Sequence, residues 1–117
     1  MGAAEFIRPC PVITAGVLEM MAWDEETGRF EVCFVPNERV EDEGRTSRWF
    51  VPERVFGRGG YVRIVHGEGT DVDGDMEKGN GKGWRWEWNR AGQELMVVAE
   101  RGVARRGKVW VVVEKKI

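Results

Sequence analysis

Residues 84–89 alternate strictly between tryptophan and polar residues, and this period of two constrains the fold more than any other feature of the sequence. Successive side chains of an extended strand point to opposite faces, so Trp84, Trp86 and Trp88 share one face. Apolar residues keep the same period in other short segments, namely residues 29–35, 47–51, 61–66 and 108–115. No segment carries a convincing apolar stripe at helical spacing, although a single helical turn at residues 53–56 is compatible with the sequence. The chain is therefore predicted to be all-β.

Turn-forming residues separate these strands and indicate the architecture. The segment Asp24-Glu25-Glu26-Thr27-Gly28 predicts a hairpin loop closed by a glycine, between strands at residues 17–23 and 29–35. The Gly- and Asp-rich segment from Gly67 to Gly83 is predicted to be a long loop. Short strands at this spacing are typical of a sandwich or barrel and not of βαβ units. We predict one antiparallel β-sandwich of about seven to eight strands over residues 17–117, with residues 1–16 as an extended lead-in.

The charge and hydropathy of the chain restrict its partners. Its 117 residues carry 18 Lys and Arg against 20 Asp and Glu, which gives a net charge of −2. A general nucleic-acid binder needs clustered positive charge, so nucleic acid is not an expected partner. No stretch reaches the roughly 20 apolar residues of a membrane span, and the first residues lack the basic region and apolar core of a signal peptide. An intracellular, cytoplasmic location is the expectation.

The candidate catalytic and zinc-binding residues each lack partners in the sequence. His66 is the only histidine, and its neighbours offer no nucleophile motif. Zinc needs three or four converging ligands, which one histidine and the well-separated Cys10 and Cys33 do not supply. Four acidic residues lie in polar segments that are more typical of a solvated surface than of a glycosidase pair: Glu25, Glu26, Asp42 and Glu43.

The acidic segment at residues 71–75 invites a calcium interpretation but does not fit an EF-hand. Counted from Asp71, the sixth position should be glycine and the twelfth glutamate, whereas this chain has Met76 and Lys82 there. A solvated loop is the favoured interpretation, and an irregular oxygen-ligand site stays an open alternative. We therefore predict no catalytic residue, no metal and no cofactor in this chain.

The tryptophan row (Trp84, Trp86 and Trp88) allows two interpretations. Its indoles would stand about 7 Å apart on one strand face, a spacing that suits a flat stacking platform for sugars or lipid chains. Aromatic side chains also bury large areas, so the same row suits a sandwich core or packing against another domain. Burial is the default because the opposite face of the strand is polar. The three tryptophans are the candidate residues for ligand contact or domain packing.

The order of motifs along the chain resembles one known family. The motifs, in order, are Phe-Ile-Arg-Pro-Cys-Pro at residues 6–11, Ala15-Gly16, the hairpin at residues 24–30, residues 46–51 followed by Pro52, and the late Trp-rich strand. This order is similar to that of the C-terminal β-sandwich domain of family 5 glycoside hydrolases of the endoglycoceramidase and fungal steryl-glucosidase or glucocerebrosidase type. The resemblance covers nearly the whole chain. One departure is Cys10, which stands where the family usually has tyrosine.

The resemblance implies a role without chemistry of its own. In those enzymes a (β/α)₈ barrel carries the two catalytic glutamates, so no catalytic residue is carried over to this chain, which is either an excised domain or a stand-alone relative. The implied partner is the catalytic barrel of the same parent chain, beside which the domain helps to shape the site for the lipid aglycone of a glycolipid such as a sterol glucoside or glucosylceramide. Two other hypotheses stay open: a stand-alone carbohydrate-binding module that uses the tryptophan row, and a protein-interaction β-sandwich.

Overall fold

The described part of the chain is built almost entirely from β-strands. The computed structural model describes residues 10–24, 26–37, 42–52, 60–66, 70–100 and 107–115. Within these residues the chain forms ten strands and one 3₁₀ helix at Asp42–Arg45. The strands are β1 (Cys10–Ile13), β2 (Gly16–Asp24), β3 (Arg29–Pro36), β4 (Thr46–Phe50), β5 (Gly60–His66), β6 (Thr70–Asp75), β7 (Lys78–Gly81), β8 (Trp84–Asn89), β9 (Glu94–Ala99) and β10 (Val109–Lys115).

The strands pair into two antiparallel sheets of five strands each. The first sheet has the order β1-β4-β9-β8-β7, and the second has the order β2-β3-β10-β5-β6. The predicted all-β antiparallel sandwich is confirmed, with ten strands in the described residues instead of seven to eight. Residues Cys10–Ile13, which the sequence pattern assigns to the lead-in, form β1 and pair with β4 at the edge of the first sheet.

The core lies between the two sheets and follows from the alternation of the strands. Val111 of β10 pairs with Val32 on one side and Ile64 on the other, and all three side chains are fully buried. Antiparallel partners share a face, so aligned alternation brings a continuous apolar layer to the inside of each sheet. Each such side chain stabilises the fold by about 1.5–3 kcal/mol relative to exposure. Chemically, the layer is aliphatic on β5 and β10 and aromatic on β3 and β8.

The predicted hairpin between β2 and β3 is confirmed, and its geometry explains the sequence. Asp24 Oδ1 accepts hydrogen bonds from the backbone amides of Glu26 (3.0 Å) and Thr27 (3.3 Å). Gly28 donates its N–H to the Asp24 carbonyl at 2.8 Å and adopts a φ of +68°, a conformation that favours glycine. The short acidic side chain and the glycine therefore fix where the chain reverses.

The prediction of a long loop from Gly67 to Gly83 is wrong. Two strands, β6 and β7, lie within it, and they are joined by a turn at residues 76–77. Their glycines carry no apolar signal, but a Cβ on Gly79 would overlap the Trp86 indole and one on Gly74 would press closely against it. These strands form because they pair with β5 and β8, and pairing with a neighbour is not visible in local composition.

Helical structure among the described residues is limited to the 3₁₀ helix at Asp42–Arg45. The predicted helical turn at residues 53–56 lies outside the described residues. None of the described segments contains a helix long and apolar enough to cross a bilayer.

The contact between Gly79 and Trp86 can be tested by adding one methyl group. A Cβ on Gly79 would overlap the Trp86 ring, so Gly79→Ala is expected to lower the free energy of unfolding by about 1–3 kcal/mol, as overpacking does. Gly92, in the β8–β9 turn, has no atom within 4 Å of the position that a Cβ would occupy, so Gly92→Ala is the matched control and is expected to change stability by less than about 0.5 kcal/mol. Denaturant unfolding followed by tryptophan fluorescence measures both, and equal effects would contradict the described packing.

Candidate functional site

The tryptophan row lies inside the sandwich. Strand β8 is the fourth strand of the first sheet, and its inward face turns toward the second sheet. The exposed fractions of the three side chains are 1% for Trp84, 3% for Trp86 and 8% for Trp88. Stacking a sugar or lipid chain needs an exposed ring face, and these indoles present almost none.

Specific contacts hold the indoles in place. Trp86 Nε1 donates a hydrogen bond of 2.7 Å to the carbonyl of Asp75, which belongs to β6 of the opposite sheet. Trp88 Nε1 donates a bond of 2.9 Å to the carbonyl of Val51. The Trp84 ring meets Phe34 of the second sheet edge-to-face, with ring centroids 6.4 Å apart. Buried indole N–H groups usually need such acceptors, so two of the three are fixed by hydrogen bonds as well as by packing.

The single histidine is a core residue at the end of β5. His66 is 4% exposed, and its Nε2 donates to the carbonyl of Gly107 at 3.1 Å, since a carbonyl oxygen can only accept. Its ring also lies edge-to-face with Trp84 at 6.0 Å. This arrangement places the imidazole in the core, packed against Trp84.

Cys33 is a free thiol buried on the outward-facing side of β3. Burial raises the pKa of the Cys33 thiol above its ordinary value, while the nearby Lys108 ammonium lowers it in part and the carboxylates of Glu19 and Glu31 raise it further. The thiol is therefore protonated at neutral pH, and a protonated thiol is a poor nucleophile and a poor metal ligand.

The acidic residues do not assemble into a site within the described segments. No three His, Cys, Asp or Glu side chains of those segments lie close enough together to hold a metal ion. The segment from Asp71 to Asp75 belongs to strand β6, so its interpretation as a solvated loop is wrong. Glu26 lies exposed in the β2–β3 turn, and Glu25 is outside the described residues.

One surface feature of the fold was not predicted from the sequence. Large apolar side chains are exposed on the two edge strands β1 and β2, and we call them the edge patch: Val12, Ile13, Val17, Leu18 and Met21. A signal for it was present, because residues 17–23 are apolar at most positions and do not alternate cleanly. A strand that is apolar on both faces is expected to be covered on both faces.

The sequence matches a known protein family over nearly its whole length. A model of the glycoside hydrolase family 5 C-terminal domain matches residues 8–113, nearly the whole chain. The chain therefore belongs to this family. No curated protein matches the chain.

Family membership defines a class of protein. A C-terminal domain of this family is an accessory domain and not the catalytic domain, and it implies attachment to a catalytic domain. The resemblance to the family 5 C-terminal domain is confirmed at this level, and the endoglycoceramidase or steryl-glucosidase type stays a prediction.

Truncation of the central tryptophan tests whether the row supports the fold. Trp86→Ala removes a buried indole and leaves the Asp75 carbonyl without its donor, so the free energy of unfolding is expected to fall by about 3–5 kcal/mol. Glu87→Ala, on the exposed face of the same strand, is the control and is expected to cost less than about 0.5 kcal/mol. Urea unfolding measures both; a loss below about 1 kcal/mol for Trp86→Ala would mean that the row does not carry the core.

Thiol labelling tests the state of Cys33. We expect a maleimide to modify Cys33 at least about 100-fold more slowly in the folded chain than in the urea-unfolded chain, because the thiol is buried and protonated. Since folding raises its pKa, Cys33 contributes stability that is present below the ordinary thiol pKa and is lost as the pH rises through the folded-state pKa. Val17→Cys places an exposed thiol on the adjacent strand and should react freely. Equal rates at positions 17 and 33 would contradict the burial.

Proposed function

We propose that this chain is the non-catalytic C-terminal accessory domain of a glycolipid-cleaving glycoside hydrolase. In this role it packs on a separate catalytic (β/α)₈ barrel and helps to shape the site for the lipid aglycone. The observation that carries the proposal is the family match over residues 8–113. The motif order at the start of the chain supports the glycolipid-cleaving type through its resemblance to the endoglycoceramidase and steryl-glucosidase enzymes.

The interior of the domain supports an accessory role over a sugar-binding role. The tryptophans of the row are in the core, and Trp86 and Trp88 have their N–H groups occupied by backbone carbonyls. We infer that the tryptophan row serves packing within the domain. Contact with lipid or another protein would then use other residues, and the edge patch is the largest set of exposed apolar side chains among the described residues. The intracellular, cytoplasmic location stays a prediction.

The proposal is tested by comparing the catalytic domain with and without this chain. The catalytic domain encoded upstream in the same gene would be assayed alone and joined to residues 1–117, on a glucosylceramide or steryl glucoside and on a soluble aryl glucoside. We expect removal of this chain to lower kcat/KM for the glycolipid by about tenfold or more and for the aryl glucoside by less than about threefold, because only the glycolipid has a lipid aglycone to be positioned.

Two outcomes would contradict the proposal. An equal loss on both substrates would indicate general stabilisation of the barrel, and the absence of any upstream family 5 catalytic domain would remove the partner. Titration of the isolated chain with glucosides and oligosaccharides, followed by tryptophan fluorescence, tests the carbohydrate-binding alternative. We expect no saturable shift, because no indole of the row is open to a ligand.

A further inference from the structure

The two sheets are connected differently at the two edges of the sandwich. At one edge, β6 and β7 belong to different sheets and are joined by a tight turn in which Met76 is 1% exposed. At the other edge, residues 14–15 cross from β1 to β2, and the Ala15 amide donates to Ser47 Oγ at 2.9 Å. At this edge, β1 is described from Cys10 to Ile13 and β2 from Gly16 to Asp24.

Two inward-facing side chains of β2 are exposed. Leu18 pairs with Phe34, and Met21 pairs with Val32. Phe34 and Val32 point into the core and are buried, so Leu18 and Met21 point to the same inner side of the sheet. Even so, 46% of Leu18 and 41% of Met21 are exposed. Apolar side chains that belong to the core layer therefore reach solvent at this edge.

The apolar surface continues from the edge onto the outer face of the second sheet. The pairing register places Met20, Cys33, Trp110 and Val65 in one row across β2, β3, β10 and β5. Cys33 is buried in this row, and the other three are partly buried. Val17, at 65% exposure, stands on the same outer face next to the row. The outer face of an antiparallel sheet normally contacts water. Here that face is apolar near β2.

The outer face of the first sheet carries charged side chains together with the apolar side chains of Ile13, Met96 and Val98, which the register places there. Its strand β8 presents Arg85, Glu87 and Asn89 to solvent, and Arg48 of β4 pairs with Glu94 of β9 at 3.0 Å. Polar residues with ion pairs are what an antiparallel sheet shows to water. Both outer faces thus combine ion pairs with apolar side chains, and the exposed aliphatic ones, Ile13 and Val17, lie toward the β1–β2 edge.

Charged side chains border the apolar surface. Lys108 and Glu19 form an ion pair of 3.2 Å beside β2, and Arg29 and Glu31 form another at 3.4 Å on β3. An apolar centre with a polar rim is the usual anatomy of a protein–protein contact. Of the six exposed large hydrophobic side chains among the described residues, five belong to β1 and β2. The exposed apolar surface is therefore concentrated on these two strands.

We propose that the edge patch, with the adjoining row of Met20 and Trp110, is the surface that binds the catalytic domain of the same parent chain. This inference rests on the proposed function. The occupant follows from the connectivity of the chain: a domain that precedes a C-terminal domain is joined to it through the residues before β1, and β1 itself carries Val12 and Ile13 of the patch. The tether holds the upstream domain next to this edge at a high effective concentration, which favours it over a second copy of the chain.

Site-specific thiol labelling of the intact enzyme tests the proposal. Val17→Cys reports on the patch, and Tyr61→Cys is the matched control, because Tyr61 is also exposed but lies on β5, away from the edge. Labelling of each site by a maleimide would be followed by mass spectrometry of the peptides, in the isolated chain and in the chain joined to its catalytic domain. We expect labelling at position 17 to slow by about tenfold or more in the joined protein, and labelling at position 61 to change by less than about twofold.

A second pair of variants tests the same contact without a thiol. Val17→Lys combined with Met21→Lys places two charges in the patch, where exposed strands tolerate lysine, and Tyr61→Lys is the control. Small-angle X-ray scattering of the joined protein should show separation of the two domains for the double variant only. Circular dichroism of the isolated variants verifies that each one still folds.

The outcomes separate this inference from the proposed function. If the joined wild-type protein is compact but position 17 labels as fast as in the isolated chain, the domains pack through another face and this inference is overturned while the proposed function stands. If the wild-type domains tumble independently, the proposed packing fails as well. If position 17 is already protected in the isolated chain and that chain sediments as a dimer, a second copy is the occupant and the inference is overturned.

Discussion

The packing of three tryptophans between the two sheets is the interaction on which the rest of this domain depends. The Trp86 indole reaches from the first sheet to donate to the Asp75 carbonyl of the second, and it fills the space left by Gly74 and Gly79. Trp84 reaches Phe34 in the opposite sheet in the same way. Because these side chains are large and rigid, their placement sets the spacing of the sheets and the position of β6 and β7.

Because the tryptophans of the row are buried, any contact that the domain makes with a partner must use other side chains. The tryptophans of the row are part of the core, His66 is buried, and Cys33 is a buried thiol whose pKa is raised by burial. Among the exposed large apolar side chains of the described residues, five lie on β1 and β2, and Tyr61 lies on β5. A domain with a packed core and exposed apolar side chains along one edge is consistent with an accessory module whose contribution depends on what it contacts.

Much of the fold was predictable from local patterns, and the errors have a common cause. The alternation of β3, β5, β8 and β10 predicted these strands correctly, and the Asp24 to Gly28 turn was recognisable because its hydrogen bonds are made within the turn itself. Strands β6 and β7 were missed because their glycines are explained only by the indole that lies against them. The exposed state of Leu18 and Met21 was missed because it depends on which elements pack over the inner side of β2.

The amino-acid sequence by itself determined which residues of the alternating strands are extended, which face of each of these strands is apolar, and the family to which the chain belongs. These properties follow from side-chain chemistry at a period of two and from short turn motifs, which act over a few residues. Only the tertiary structure decided which apolar faces are covered. The Trp84, Trp86 and Trp88 face is buried because another sheet lies over it, whereas Leu18 and Met21 on the inner face of β2 remain exposed. Coverage depends on elements distant in sequence, and for this reason it could not be read from any one segment.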